Sequence, residues 1–234
     1  MRIIKYLSIF LKSFTHKKIS YSFGGIDTLV ANIFKNQKKG FYVDVGCGHP
    51  IKNNNTYLLN KKNWHGVNID LDKDNIDLFD IYRPLDLNIS TAISSDVGEV
   101  DLFFWDSKSA INTISKKTAD YQKAKISNIK KIKANTLNNV LNNSKYNNFE
   151  IDLLTIDIEG SEFLALKEFD FKKYNPKIIV VEYLDLSLPM LEIKNLNINS
   201  AINSDIYKLI ISKNYTLVNM LHSDLVFVNN KFRD

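Results

Sequence analysis

Ile178, Ile179, Val180 and Val181 form an unbroken β-branched run. Such a run suits a strand covered on both faces, which in water-soluble folds means a largely parallel sheet with helices above and below. From residue 41 onward, short β-rich runs alternate with helix-like stretches, the order expected of a doubly wound α/β domain. The runs predict strands over 41–45, 66–70, 88–94, 100–105, 153–158, 177–183, 216–221 and 225–229, and helices over 56–62, 73–82, 136–141, 161–169 and 200–213. Thr136 and Ser161 stand where a side-chain oxygen can accept from first-turn amides. The last two strands meet near His222, Ser223 and Asp224, which predicts a closing antiparallel hairpin. The expected fold is α/β and Rossmann-like: a mostly parallel seven-stranded sheet with helices on both faces and a terminal antiparallel hairpin. Residues 106–132 are polar, Lys-rich and weakly periodic and are read as a loop or mobile helix over a site, while 193–200 reads as an irregular substrate-side insertion.

The chain of 234 residues suits one such domain over 40–234, preceded by an extension over 1–39. Within that extension Ile3, Ile4, Leu7, Phe10, Leu11 and Phe14 recur at helical spacing among Arg2, Lys5, Lys12, Lys17 and Lys18. This is the pattern of a basic amphipathic helix, packed on the domain or a dimer partner, or else touching an anionic membrane from its inner face. It has neither the long apolar stretch nor the cleavage site of a signal peptide, and no apolar run reaches the roughly 18 to 20 residues that span a bilayer. A single cysteine, Cys47, excludes an intrachain disulfide and a multi-cysteine zinc site and fits a reducing cytoplasm. The net charge of +5 is small and dispersed, so nucleic acid is not an expected partner.

In FYVDVGCGHP an apolar strand runs into Asp44, Gly46 and Gly48. Small residues at a strand's carboxyl end let the backbone approach a ligand. A dinucleotide fingerprint would need a third glycine where the chain has Ile51, beside Pro50, so a pyrophosphate cofactor is disfavoured. S-adenosylmethionine has no pyrophosphate and needs no third glycine. Asp44 can orient the loop amides or meet the methionyl ammonium through water. Gly46, Cys47 and Gly48, with Thr56 at the following helix start, complete the expected cofactor loop. A glycine turn capping a buried strand would give the same pattern. About 20 residues on, GVNIDLD ends a second strand on Asp70, where a carboxylate can accept from two ribose hydroxyls; Asp72 is the alternative in another register. Ser94, Ser95 or Asp96, in AISSDVGEV, is the expected contact to adenine.

In TIDIEGSE, Asp157 ends a buried strand and Glu159 follows with one residue between. Alternate strand residues share a face, and Gly160 permits a sharp exit. Two close carboxylates raise one pKa, and a carboxyl so raised is a better base for a hydroxyl proton. Asp157 is therefore expected at the cofactor or acceptor and Glu159 on the acceptor side, unless Glu159 caps the next helix and Glu162 is a plain first-turn acid. His49 and His222 are further candidates for base or substrate ligand, whereas His16 and His65 read as structural or exposed. Asp157, Glu159, Glu182 and His222 are donors suited to a divalent metal, but their spacing is nonspecific and no metal is expected.

With these segments in order, roughly residues 40–185 resemble the FkbM-type SAM-dependent methyltransferases. The segment 151–162, IDLLTIDIEGSE, is similar to that family's signature at Asp157, Glu159, Gly160 and Glu162, with Thr155 in place of a common basic residue. The loop followed by Asn55, Thr56, Trp64 and Gly66 is similar to its opening block. The resemblance implies O-methylation of a hydroxyl, on a sugar of a surface polysaccharide or glycan precursor or on a small secondary metabolite. A noncatalytic SAM-binding partner in a glycan-synthesis complex is the reading from another class. Nucleic-acid methylation is disfavoured: no two prolines are adjacent, and Cys47 sits inside the expected cofactor loop. An oligomer is compatible with all of these.

Overall fold

The computed structural model describes residues 19–104, 112–122 and 128–233. The expected leader helix and parts of the 106–132 region lie outside them. In chain order the elements are α1 (Ile26–Ile33), β1 (Phe41–Val45), α2 (Tyr57–Asn60), β2 (His65–Asp70), α3 (Lys73–Tyr82), β3 (Leu87–Ser90), β4 (Ala92–Ile93), β5 (Gly98–Phe104), α4 (Lys116–Tyr121) and β6 (Asn128–Asn135). There follow α5 (Leu137–Asn142), β7 (Leu153–Ile156), α6 (Glu162–Lys167), α7 (Phe171–Tyr174), β8 (Ile178–Glu182), a 3-10 turn (Ile193–Asn195), α8 (Ile198–Asn203), α9 (Asp205–Ser212), β9 (Tyr215–Leu221), β10 (Asp224–Asn229) and α10 (Asn230–Arg233).

Seven strands form one sheet in the order β3-β2-β1-β7-β8-β10-β9. The first five run parallel, and β10 pairs antiparallel with both β8 and β9. This is the expected α/β fold with its closing hairpin. Strand pleating divides the core between the two faces. Phe41, Val43, Val45, Leu154, Ile156, Ile179 and Val181 pack with Leu137, Leu141, Leu166 and Ile210 from α5, α6 and α9. Tyr42, Leu153, Ile178 and Val180 pack on the other face with Ile26, Val30 and Trp64. The β-branched run is therefore buried on both sides, as its composition requires.

Four expectations change. The run 88–94 breaks at Thr91: β3 belongs to the main sheet, while β4 starts a separate three-stranded sheet ordered β4-β6-β5. The run at 100 is β5 of that small sheet, paired antiparallel with β6, so it adds no strand to the main one. The described part of 106–132 carries α4 and the start of β6 rather than one loop or helix. The helix expected over 200–213 divides at Ser204, whose side chain accepts from the Tyr207 amide and starts a new helix. Among the described residues no helix is long and apolar enough to cross a membrane.

Candidate active site

A cavity of about 570 Å³ opens at the carboxyl ends of the parallel strands, where open α/β sheets bind ligands. Its wall has an apolar end and an acidic end, and strand register builds both.

The apolar end begins at the loop after β1. The amides of Gly46 and Cys47 donate to the Ile69 carbonyl at 2.8 and 3.1 Å, which clamps the loop onto β2. Gly46 is in the left-handed region at φ 80, and a Cβ there would stand 1.7 Å from the Asp157 carbonyl oxygen. Gly48, at φ 58, would place a Cβ within 4 Å of nothing and itself lines the cavity. Asp70 ends β2 with Oδ2 accepting from the Gly48 amide and Oδ1 from the Asp72 amide, both at 2.8 Å. Burial raises the Asp70 pKa, opposed by those two amides. Leu71, Ala92 and Ile93 supply the apolar surface beside it.

Several expected contacts take other places. Asp44, in register with Asn68 and Thr155, is buried and accepts from Thr56 Oγ1 at 2.7 Å and Asn54 Nδ2 at 3.2 Å. Burial pushes its pKa up to about 6, against the pull of Thr56, Arg83 and Asn54. Thr56 is equally buried and also accepts from Arg83 at 2.8 Å. Asp44 and Thr56 thus brace the loop from beneath and do not line the cavity. The Cys47 side chain turns into a cluster with Ile76 and Phe79. Ser95 donates to Asp96 at 2.7 Å, and neither lines the cavity, because the chain leaves β4 toward the small sheet before reaching them. Asp72 lines the cavity and caps α3 through its contact with the Asp74 amide.

Arg83, which sequence reasoning missed, closes this bracing network. Its guanidinium donates to the Pro50 carbonyl, to Asn54 Oδ1 at 2.7 Å and to Tyr42 Oη at 3.3 Å. The Tyr42 hydroxyl in turn donates to buried Asp86. These hydrogen bonds satisfy both terminal nitrogens of the buried guanidinium, and the nearby Asp44 carboxylate feels its charge.

The acidic end follows from three adjacent strands. Ile156 pairs with Val181, so Asp157, one residue on, stands beside Glu182, and Glu182 pairs with Asp224 on β10. Asp157, Glu159 and Glu182 present oxygens that all lie within 4.8 Å of one another, an oxygen set that a hard cation can also use. Asp157 meets the solvent of the cavity yet is crowded by protein atoms, and burial raises its pKa. Burial, then the charges of Asp157 and Glu162, pushes Glu159 up to about 8. Burial and those acidic neighbours also raise Glu182 well above the usual range, and burial followed by Asp157 brings Asp224 to about 7. Glu162 does not reach the cavity. Its Oε1 accepts from the Ile158 and Gly160 amides at 2.9 and 3.0 Å, fixing the turn that presents Glu159, and burial holds it at about 7.

His222 lines the cavity from the hairpin turn, its pKa lowered by burial. His49 also lines it, its Nδ1 accepting from the Ile51 and Lys52 amides at 3.1 Å. His65 lies away from the cavity against Asp86 at 3.3 Å. Glu159 and His222 have φ of 55 and 56, whereas among the described residues the other non-glycine residues with positive φ are all asparagines. Asparagine takes this conformation readily, but glutamate and histidine do so at some cost, and such strain gathers at functional sites.

One consequence is measurable without a ligand. Asp44, Glu159, Glu162 and Asp224 have folded-state pKa values of about 6, 8, 7 and 7, above the unfolded values of about 4. The folded chain therefore holds more protons than the unfolded one between about pH 4 and 8, and stability falls as pH rises through that window. The thermal midpoint of the ligand-free protein should be lower at pH 8 than at pH 5. A midpoint that rises across the window would refute this electrostatic picture.

Comparison with known proteins bears on the chain as a whole. A search of curated proteins gives no match. Among solved structures, a TehB-like SAM-dependent methyltransferase from Corynebacterium glutamicum ATCC 13032 Kitasato is similar at 10% identity over 97% of each chain, with a TM-score of 0.44. The family model described as the methyltransferase FkbM domain matches residues 44–209. That match takes in the glycine loop, Asp70 and the Asp157–Glu162 turn, and covers well over half of the 234 residues, so the chain belongs to the FkbM methyltransferase family.

Proposed function

We propose that this protein transfers the methyl group of S-adenosylmethionine to a hydroxyl oxygen of a sugar in a surface polysaccharide or glycan precursor. The observation that carries the reading is the convergence of Asp157, Glu159, Glu182 and Asp224 on the same cavity as the glycine loop and Asp70.

The residues present fit the cofactor that the family implies. Gly48 leaves its side of the cavity open. Asp70, with each oxygen holding one amide, keeps lone pairs for ribose hydroxyls. Leu71, Ala92 and Ile93 give a flat base an apolar seat, and the acidic end suits the cofactor's positive groups. Bound there, the cofactor supplies a methyl group on a positively charged sulfur, which keeps the bonding electron pair when the methyl passes to oxygen. Glu159 takes the hydroxyl proton of the acceptor as the new carbon–oxygen bond forms. Asp157 and Glu162 keep the proton affinity of Glu159 high, and the turn at Gly160, with φ 93, fixes its position. Alignment in a closed site supplies much of the remaining acceleration.

The test is transfer from methyl-labelled S-adenosylmethionine to surface-glycan fractions of the source organism, run in excess chelator. The expected product is an O-methyl sugar after hydrolysis, with the rate unchanged by chelation. Label in a nitrogen or carbon position would contradict the reading. Loss of activity restored by Mg²⁺ would reassign the three clustered carboxylates to a cation.

A further inference from the structure

The family match ends at residues 44 and 209, yet two parts of the cavity wall lie outside it. Phe23 comes from the segment before β1, and His222, Ser223 and Asp224 come from the β9–β10 turn. Phe23 packs on His222, and Asp224 pairs with Glu182, so both parts adjoin the acidic carboxylates.

Phe23 is 70% exposed. A phenyl ring that lines a cavity while exposed to water gains from being covered by the apolar face of a ligand. It is also held in place. Its ring stands edge-on to His222, with centroids 4.7 Å apart and planes at 88°. A Cβ on Gly24 would meet the His222 Cβ at 3.4 Å, so the backbone here lies directly on the hairpin turn. Buried Asp27 gathers the segment by accepting from Ser20 Oγ at 2.6 Å, the Tyr21 amide at 2.7 Å and Ser22 Oγ at 2.9 Å. The Asn54 amide donates to the Tyr21 carbonyl at 3.0 Å and ties the segment to the cofactor loop. The ring is thus presented by a fixed backbone, which reduces the ordering cost of binding.

A pyranose has one apolar C–H face and a rim of hydroxyls. An aromatic ring at the mouth and carboxylates within match those two surfaces in turn. We infer that Phe23 is the platform for the acceptor sugar ring, with hydroxyls directed to Asp157, Glu159, Glu182 and Asp224. The two chain segments that flank the shared family region then add Phe23 and Asp224 to the acceptor site, while the shared region holds the cofactor and supplies Asp157, Glu159 and Glu182. This inference rests on the glycan reading above and adds the residue that selects it.

The test uses the full chain loaded with demethylated cofactor, with methyl glucopyranoside, galactopyranoside and mannopyranoside as probes. Saturation-transfer NMR reads binding, and labelled transfer to the glycan substrate reads KM and kcat. Phe23→Ala should weaken glycoside binding and raise the acceptor KM about tenfold, with kcat and cofactor affinity within about twofold of wild type. Phe23→Trp should restore binding, and the exposed position makes both variants compatible with folding. An unchanged acceptor KM in Phe23→Ala, with glycan methylation intact, overturns the platform alone. Absence of glycoside binding by the wild type, with methyl transfer to a non-sugar alcohol, overturns the glycan reading along with it.

Discussion

Glu159→Gln is expected to lower the rate of methyl transfer by about 10² to 10⁴, the range a positioned base contributes. Glutamine keeps the size of the side chain and a carbonyl acceptor but cannot take a proton. Cofactor binding should persist, because the glycine loop and Asp70 are untouched. The pH dependence gives a second check. Glu159 titrates at about 8 and works as a base only when ionised, so the wild-type rate should climb as pH rises through about 8. Glu159→Gln should lose that limb. In Asp157→Asn the limb should move to lower pH, because the charge of Asp157 follows burial among the causes that raise Glu159. A Glu159→Gln enzyme with the wild-type rate and profile would remove the base assignment.

Gly46→Ala is expected to be the most damaging single methyl group in the chain. The Asp157 carbonyl oxygen lies 1.7 Å from the new Cβ position and the carbonyl carbon 2.7 Å, and the backbone is at φ 80. Backbone atoms cannot swing aside as a flexible side chain would, and the Asp157 amide is itself bonded to the Val45 carbonyl at 2.9 Å. Relief requires β1 and β7 to part at their carboxyl ends, a cost on the order of 4 kcal/mol or more. Gly48→Ala provides the contrast. Its Cβ meets nothing within 4 Å, so only the left-handed backbone is strained, by about 1 to 2 kcal/mol. Thermal unfolding should show a large loss for Gly46→Ala and a small one for Gly48→Ala, with cofactor binding reduced in both. Equal midpoints for the two variants would contradict this account of the loop.

The parts legible in the sequence were those whose causes are local. The β-branched run at 178–181, the glycine spacing at 46 and 48 and the strand-end position of Asp70 are each read within a few residues. The elements missed depend on distant partners. In Asn128–Asn135 most residues are exposed and only Ala134 is fully buried, so β6 has no alternation to betray it. It exists because β5 pairs with it. Arg83 closes α3 before Pro84 and nothing next to it in sequence marks it, because its partners Tyr42, Asn54 and Thr56 lie 27 to 41 residues earlier. Asp44 was legible as important but not in role: it shares a sheet face with Tyr42, and that face carries the bracing network. Phe23 and Asp224 enter the cavity through topology, since the extension before β1 and the antiparallel return of β10 are brought together only by the finished sheet.

The proposed methyl transfer requires the cavity to bind S-adenosylmethionine through the loop after β1 and Asp70. Calorimetric titration of S-adenosylmethionine into the wild type and Asp70→Asn tests it most directly. The expected result is one saturable site per chain in the wild type and affinity lower by about tenfold or more in Asp70→Asn, where the amide that replaces one carboxylate oxygen no longer accepts from a ribose hydroxyl. No saturable binding to the wild type, or undiminished affinity in Asp70→Asn, would contradict it.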